Sequence, residues 1–247
     1  MTIGSAGANP VVGSLAEVAV KRGAGRGGAR ARATASAMRQ HSEACLRNRE
    51  PIWEALRWRL PDGLVLEIAS GTGMHAAWFG ARLFEERGNT TIWQPSDPDS
   101  GALESIAGWI AGLPTVRPPI TLDVQHPWPA LRGPPDATGG AAGSLESPAA
   151  IFCANMVHIS PWACTLALLD GAARALPGGK LFLYGPFRRG GFLVPSNLDF
   201  DAWLKARDPA FGVRDLEAVE SAATGFTLEE IVEMPANNLL TVWGRMA

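Results

Sequence analysis

A chain of 247 residues, nearly half of them apolar, has enough material for one large buried core. Its formal charge of −2 hides a division, since residues 1–40 sum to +5 and the rest to −7. So acidic a body argues against a nucleic-acid partner, whose affinity rests on phosphate contacts, and no apolar run is long enough to span a membrane.

Residues 1–40 are rich in Gly, Ala, Ser and Arg, hold Glu17 as their one acid and contain no aromatic residue. Arginines that arrive late, followed by the small residues of "ARATASA" (Ala31 to Ala37), have the character of an organellar leader, plastid ahead of mitochondrion. A cytoplasmic protein with an unaddressed leader is the alternative. One α/β domain is expected over 41–247. Cys45, Cys153 and Cys164 fit neither a disulfide framework nor a zinc site, so they read as buried thiols and no metal is expected.

"HSEACLRNREPIWEALRWRL" carries apolar residues at helical spacing, with Pro51 placed to open a second helical stretch. "LVLEIA" reads as a buried strand, and "GMHAAWFGARLFEERGN" as a helix with Met74, Ala77, Trp78, Ala81 and Phe84 on its apolar stripe. "TTIWQPSDPD", "SGALESIAGWIAGL" and "PPITLDV" continue as strand, helix and strand. Low-complexity sequence at 132–148 offers almost nothing to bury and reads as a solvated loop. Strand "AAIFCANMVHI", helix "SPWACTLALLDGAARALPGG" and strand "KLFLYGPF" follow, then two shorter helices. "FTLEEIVEMPANNLLTVWGR" is a hairpin around Pro-Ala-Asn-Asn. Alternating strands and helices predict a doubly wound, Rossmann-like sheet of seven strands, the last of them antiparallel, as in class I methyltransferases.

The turn "LEIASGTG" (Leu66 to Gly73) lies where such sheets bind ligands. A P-loop needs Lys-Ser/Thr after its glycines, and Met74-His75 stand there instead. Gly71-x-Gly73-x-x-Ala76 satisfies a loose dinucleotide pattern, which keeps an NAD-binding oxidoreductase as a remote alternative. Glu67, however, would repel a pyrophosphate and suit a cationic amino group. Asp97 at the end of the second strand would take ribose hydroxyls, and Asp123 after the third the adenine amine. Three acids at successive strand ends, with Gly71 and Gly73, favour S-adenosylmethionine as cofactor.

Methyl transfer from a sulfonium depends chiefly on holding nucleophile and methyl in line, so no catalytic signature is required. Topology brings the ends of strands four and five and the terminal turn to one rim. Asn155 is the candidate for the methionine side of the cofactor, His158 and Tyr184 for catalysis, and Arg47, Trp162, Asn237 and Asn238 for the acceptor rim. The acceptor is expected to be a small molecule or a protein. A catalytically silent S-adenosylmethionine-binding regulator is the alternative.

Several stretches are unusual in combination: "RNREPI", "LEIASGTGMHAAWF", "WQPSDPD", "NMVHISPW", "LYGPF", "PSNLDFD", "FGVRDLE" and "MPANN". From about His41 onward the chain resembles the methyltransferase-like protein 26 family. The resemblance implies a class I S-adenosylmethionine-dependent methyltransferase fold with no established substrate. Met74 stands where that family more often has Gln, and the 132–148 loop and the leader depart from its pattern. The three acids do not.

Overall fold

The computed structural model describes residues 39–133 and 144–246. The leader up to Met38 and the tip of the low-complexity loop lie outside the described residues. Seven strands form one sheet in the order β3-β2-β1-β4-β5-β9-β8. These are β1 (Gly63–Ile68), β2 (Thr91–Asp97), β3 (Ile120–Thr121), β4 (Ala150–Ala154), β5 (Lys180–Gly185), β8 (Phe226–Met234) and β9 (Asn238–Arg245). β3, β2, β1, β4 and β5 pair in parallel, whereas β9 runs antiparallel between β5 and β8. The expected seven-stranded α/β architecture with its terminal hairpin is the one observed. Strand order reverses between β1 and β4, which places the ligand crevice beyond their carboxyl ends.

β1 and β5 are buried from their second residue onward because both faces are covered. On one face Val65, Trp93, Phe152, Phe182 and Val242 meet α1 (Glu43–Leu56), α2 (Met74–Arg87) and α3 (Ser100–Ile110). On the other, Leu66, Ile151, Leu181, Leu183 and Trp243 meet α4 (Trp162–Ala175) and α6 (Leu216–Ala222). α5 (Pro195–Arg207) packs through Leu204 with Leu193 and Val213 in a separate small cluster, and β6 (Phe187–Arg188) pairs with β7 (Arg214–Asp215) as a short second sheet.

Three local expectations are revised. Pro51 does not start a new helix; it sits inside a continuous α1. Its missing N–H frees only the Arg47 carbonyl, and full burial of Ile52, Trp53 and Leu56 next to it holds the helix together. The buried stripe of α2 is Met74, Ala76, Phe79, Gly80 and Leu83, one position round from the expected one, with Phe84 half exposed. Close approach decides this, because a side chain at Gly80 would run into Val116. Arg39 and Gln40, read as leader, belong to the folded body. The Arg39 Nε donates to the Gly108 carbonyl at 2.9 Å, and the Gln40 N–H to Ser105 Oγ at 2.8 Å.

Candidate functional site

The turn from β1 into α2 passes through the left-handed region at Ala69, Gly71 and Gly73, with φ of 55°, 56° and 83°. A Cβ on Gly73 would lie 2.6 Å from the Ile106 Cα, so this position needs glycine for space as well as for φ. Paired serines brace the turn against β2. Ser70 N–H donates to the Ser96 carbonyl at 2.9 Å, and Ser96 N–H to Ser70 Oγ at 3.1 Å. α2 then begins at Gly73 with no side-chain cap from that residue, although the Met74 N–H reaches Thr72 Oγ1 at 3.5 Å.

The three acids prove to have three different settings. Asp97 faces the turn: its Oδ2 accepts from the Gly71 N–H at 2.9 Å and its Oδ1 from the Asp99 N–H at 3.0 Å. An ionised carboxylate has about four acceptor positions, so two stay open. Burial raises its pKa, partly offset by those two N–H bonds. Glu67 points inward, 2 % exposed, with Oε2 accepting from the Trp93 indole at 2.9 Å and the Ser70 hydroxyl at 2.8 Å. Burial pushes its pKa up to about 7. Its carboxylate thus acts as the keystone of the turn. Asp123 turns back on its own loop, accepting from the Gln125 N–H and lying 3.0 Å from His126 Nδ1, and it is partly exposed.

The predicted rim residues separate into two groups. Tyr184 at the end of β5 is 2 % exposed, with the side chains of Asn48 and Asn238 near its hydroxyl and the Asn238 Nδ2 donating to the Pro235 carbonyl at 3.1 Å. Burial raises its pKa to about 12, with Arg47 near enough to oppose the shift. Asn48 in turn holds His75 Nε2 at 2.8 Å. The His75 ring stacks flat on Phe79, and burial, with Arg49 nearby, lowers its pKa to about 4. Arg47, Asn48, His75, Tyr184 and Asn238 therefore gather from α1, α2, β5 and β9 onto one wall. Asn48 and His75 were not read from the sequence. Their one signal was a polar residue facing inward on an otherwise core-packed helix.

His158 belongs to the second group. Its ring is 1 % exposed, edge-on to Phe187 at 5.0 Å, and neither ring nitrogen has a hydrogen-bond partner among the described residues. Burial and the neighbouring Arg214 lower its pKa to about 3. A Cβ on Gly185 would run into its Nε2, and Gly212 N–H donates to its carbonyl at 2.9 Å. Trp162, half buried, lies on this side too, with the Arg214 guanidinium 5.9 Å from its ring centre. Asn155 stands between the groups in left-handed backbone, its N–H donating to the Tyr184 carbonyl at 2.8 Å. Asn237 faces α5 instead, donating to Ser196 Oγ and accepting at its carbonyl from Asn197, both at 3.1 Å. A separate cavity of about 750 Å³ lies under the ends of the low-complexity loop against α4, lined by Trp128, Leu131 and Arg174.

Residues 39–245 match the sequence family described as a protein of unknown function, DUF938. The chain belongs to the DUF938 family. Solved structures similar to this DUF938 chain include methyltransferases. Mitomycin 7-O-methyltransferase MmcR matches with a TM-score of 0.65 at 15 % identity, over 87 % of this chain and 56 % of its own. Human N-acetylserotonin methyltransferase, solved with S-adenosylmethionine, matches at 0.62 and 12 % identity over 89 % and 58 %. CalO1 of calicheamicin biosynthesis, solved with S-adenosylhomocysteine, matches at 0.59 and 16 % identity over 83 % and 55 %. The DUF938 chain spans a little over half the length of these neighbours, and what they share with it is the class I methyltransferase fold.

Proposed function

We propose that this DUF938 protein is an S-adenosylmethionine-dependent methyltransferase. The observation that carries the reading is Asp97, a buried carboxylate clasping the Gly71 N–H across the crevice mouth with acceptor capacity to spare. Ribose hydroxyls fit that capacity, the first turn of α2 suits the cofactor's carboxylate, and the glycines let the chain pass close to both. The cofactor would supply an activated methyl group. What the protein's residues contribute is a fixed frame, with Glu67, Ser70 and Ser96 locking the turn and Tyr184 and Asn48 setting the wall opposite. The likeness of "LEIASGTGMHAAWF" and "NMVHISPW" to the methyltransferase-like protein 26 family supports the same reading. So does the kinship of fold with MmcR, whose name gives oxygen as the acceptor atom.

The test is calorimetry of the full chain with S-adenosylmethionine, S-adenosylhomocysteine and NAD. Binding of the first two and not the third is expected. Asp97→Asn keeps the side-chain volume and removes the charge, and it should weaken S-adenosylmethionine binding by about tenfold or more. Unchanged affinity in a folded Asp97→Asn variant would refute the assignment.

A further inference from the structure

Ahead of α1, residues Arg39–Ser42 form an arm without helix or strand that runs along α3 and onto the head of α2. Arg39 Nε is bound to the Gly108 carbonyl and the Gln40 N–H to Ser105 Oγ. The Trp109 indole N–H donates to the Gln40 carbonyl at 2.9 Å, and the His41 ring meets Trp109 edge-on at 5.0 Å. The arm ends with the Ser42 N–H donating to Met74 Sδ at 3.1 Å, on the first residue of α2. Four residues thus engage both helices that follow the two strand ends of the proposed cofactor site.

Ser105, in the middle of α3 and fully buried, joins this arm to the glycine turn. Its Oγ accepts from the Gln40 N–H at 2.8 Å and donates to the Thr72 carbonyl at 2.8 Å. A hydroxyl has one proton to give and an N–H cannot accept, so the Ser105 proton is fixed on Thr72. That carbonyl belongs to the peptide between Thr72 and Gly73. Glycine takes φ of either sign, so this peptide plane can turn over at little steric cost. Two bonds pin it: the Gly73 N–H on the Ser70 carbonyl at 3.0 Å, and the Ser105 hydroxyl on the carbonyl side.

Asp97 ties the turn to the link between β2 and α3 once, through the Gly71 N–H. α3 follows at once, capped by Asp99, whose Oδ1 accepts from the Ala102 N–H at 2.8 Å. Ser105 and the arm tie the same two segments a second time, through the body of α3. We infer that Ser105 is a positioning residue for the cofactor and that the arm Arg39–Ser42 acts through it, so that the turn holds its tight-binding shape when the arm is docked. This rests on the cofactor reading above, in which one molecule reaches from the glycine turn to Asp97. Coupling of this kind is reciprocal. By whatever factor the docked arm raises cofactor affinity, bound cofactor raises docking of the arm.

The test uses the full chain, with S-adenosylmethionine binding followed by calorimetry and backbone amide exchange followed at Gln40 and Ser42. Ser105→Ala should weaken S-adenosylmethionine binding about tenfold. In wild type, saturating S-adenosylmethionine should slow exchange at the two arm N–H groups by about the same factor, and in Ser105→Ala it should not. A serine that serves stability alone would lower the melting temperature and leave both readouts where they were. If Ser105→Ala does not fold, Trp109→Phe takes its place. It keeps a ring beside His41, removes the donor to the Gln40 carbonyl and touches nothing in the turn, and it should weaken binding by about threefold. Wild-type affinity in the folded variant, or arm amides whose exchange is indifferent to the cofactor, would overturn the inference and leave the cofactor reading standing. Failure of the wild-type chain to bind S-adenosylmethionine would overturn the cofactor reading and this one with it.

Discussion

Replacing Glu67 by Gln removes a charge from a place where charge is expensive. The carboxyl is 2 % exposed, takes both of its side-chain hydrogen bonds on one oxygen, and ionises at about 7 in the folded chain against an ordinary value of 4.5. A pKa raised on folding means that the native state holds the proton more tightly. The contribution to stability is therefore full below about 4.5 and is lost as pH rises through about 7. Across that window the loss is about 3 kcal/mol, at 1.36 kcal/mol for each pH unit of difference between the two states. Two buried imidazoles work in the opposite direction below 6.5, since His75 and His158 titrate at about 4 and about 3. The quantity to measure is therefore the difference between wild type and Glu67→Gln, in which the histidine contributions cancel. Urea unfolding at pH 5.0 and pH 8.5 should show the variant gaining about 3 kcal/mol on wild type between the two conditions. Stability curves that stay parallel across the range would show that the carboxyl is not held near neutrality, and the account of the turn would fail with it.

Gly73→Ala should destabilise the fold well beyond Gly71→Ala, because the first puts a methyl 2.6 Å from the Ile106 Cα and the second meets open space. Thermal unfolding should give about 1–2 kcal/mol for Gly71→Ala, the cost of left-handed backbone. His158→Phe should gain about 2 kcal/mol on wild type at pH 5, because a histidine whose pKa falls from 6.5 to about 3 on folding loses stability as pH drops between those values. Chemical denaturation at pH 5 and pH 8 checks it. A chain starting at Met38 should melt with the full-length protein, whereas one starting at Glu43 should melt lower. The shorter chain loses the Arg39 and Gln40 contacts and the Ser42 cap on Cys45, a cap worth about 1 kcal/mol.

The strand, turn and helix around Leu66–Gly73 were legible because each has a local signal: an apolar run, glycines where left-handed backbone is needed, and helical periodicity after them. The terminal hairpin was legible for the same reason, its Pro-Ala-Asn-Asn turn falling between two runs of strand character. What eluded the sequence was direction. Alternation in β1 puts Glu67 on the face with Val65, under α1, where Trp93 claims it, and nothing local to "LVLEIA" says which neighbour waits there. The stripe of α2 slipped by one position because Gly80 is a contact surface, and hydrophobicity alone does not score glycine as core. Asn48 and His75 stayed hidden because their partners are distant in sequence; the bond between them joins residues 27 apart, and Tyr184 is further still. His158 and Tyr184, close on paper at successive strand ends, diverge because the Tyr184 side chain points to the α1 face while the His158 ring packs beside Phe187 on the other.

The placement of β9 between β5 and β8 has a consequence for synthesis. β9 leaves the ribosome after both strands that it must pair with, so until it arrives β5 presents an unpaired edge with Leu181, Leu183 and Phe182 uncovered beside it. Such an edge invites pairing with a second nascent chain. The residue that opens β9 is Asn238, which also completes the wall around Tyr184. Closing the aggregation-prone edge and assembling the polar wall are therefore one event, and a molecule stalled before it is sticky and lacks that wall.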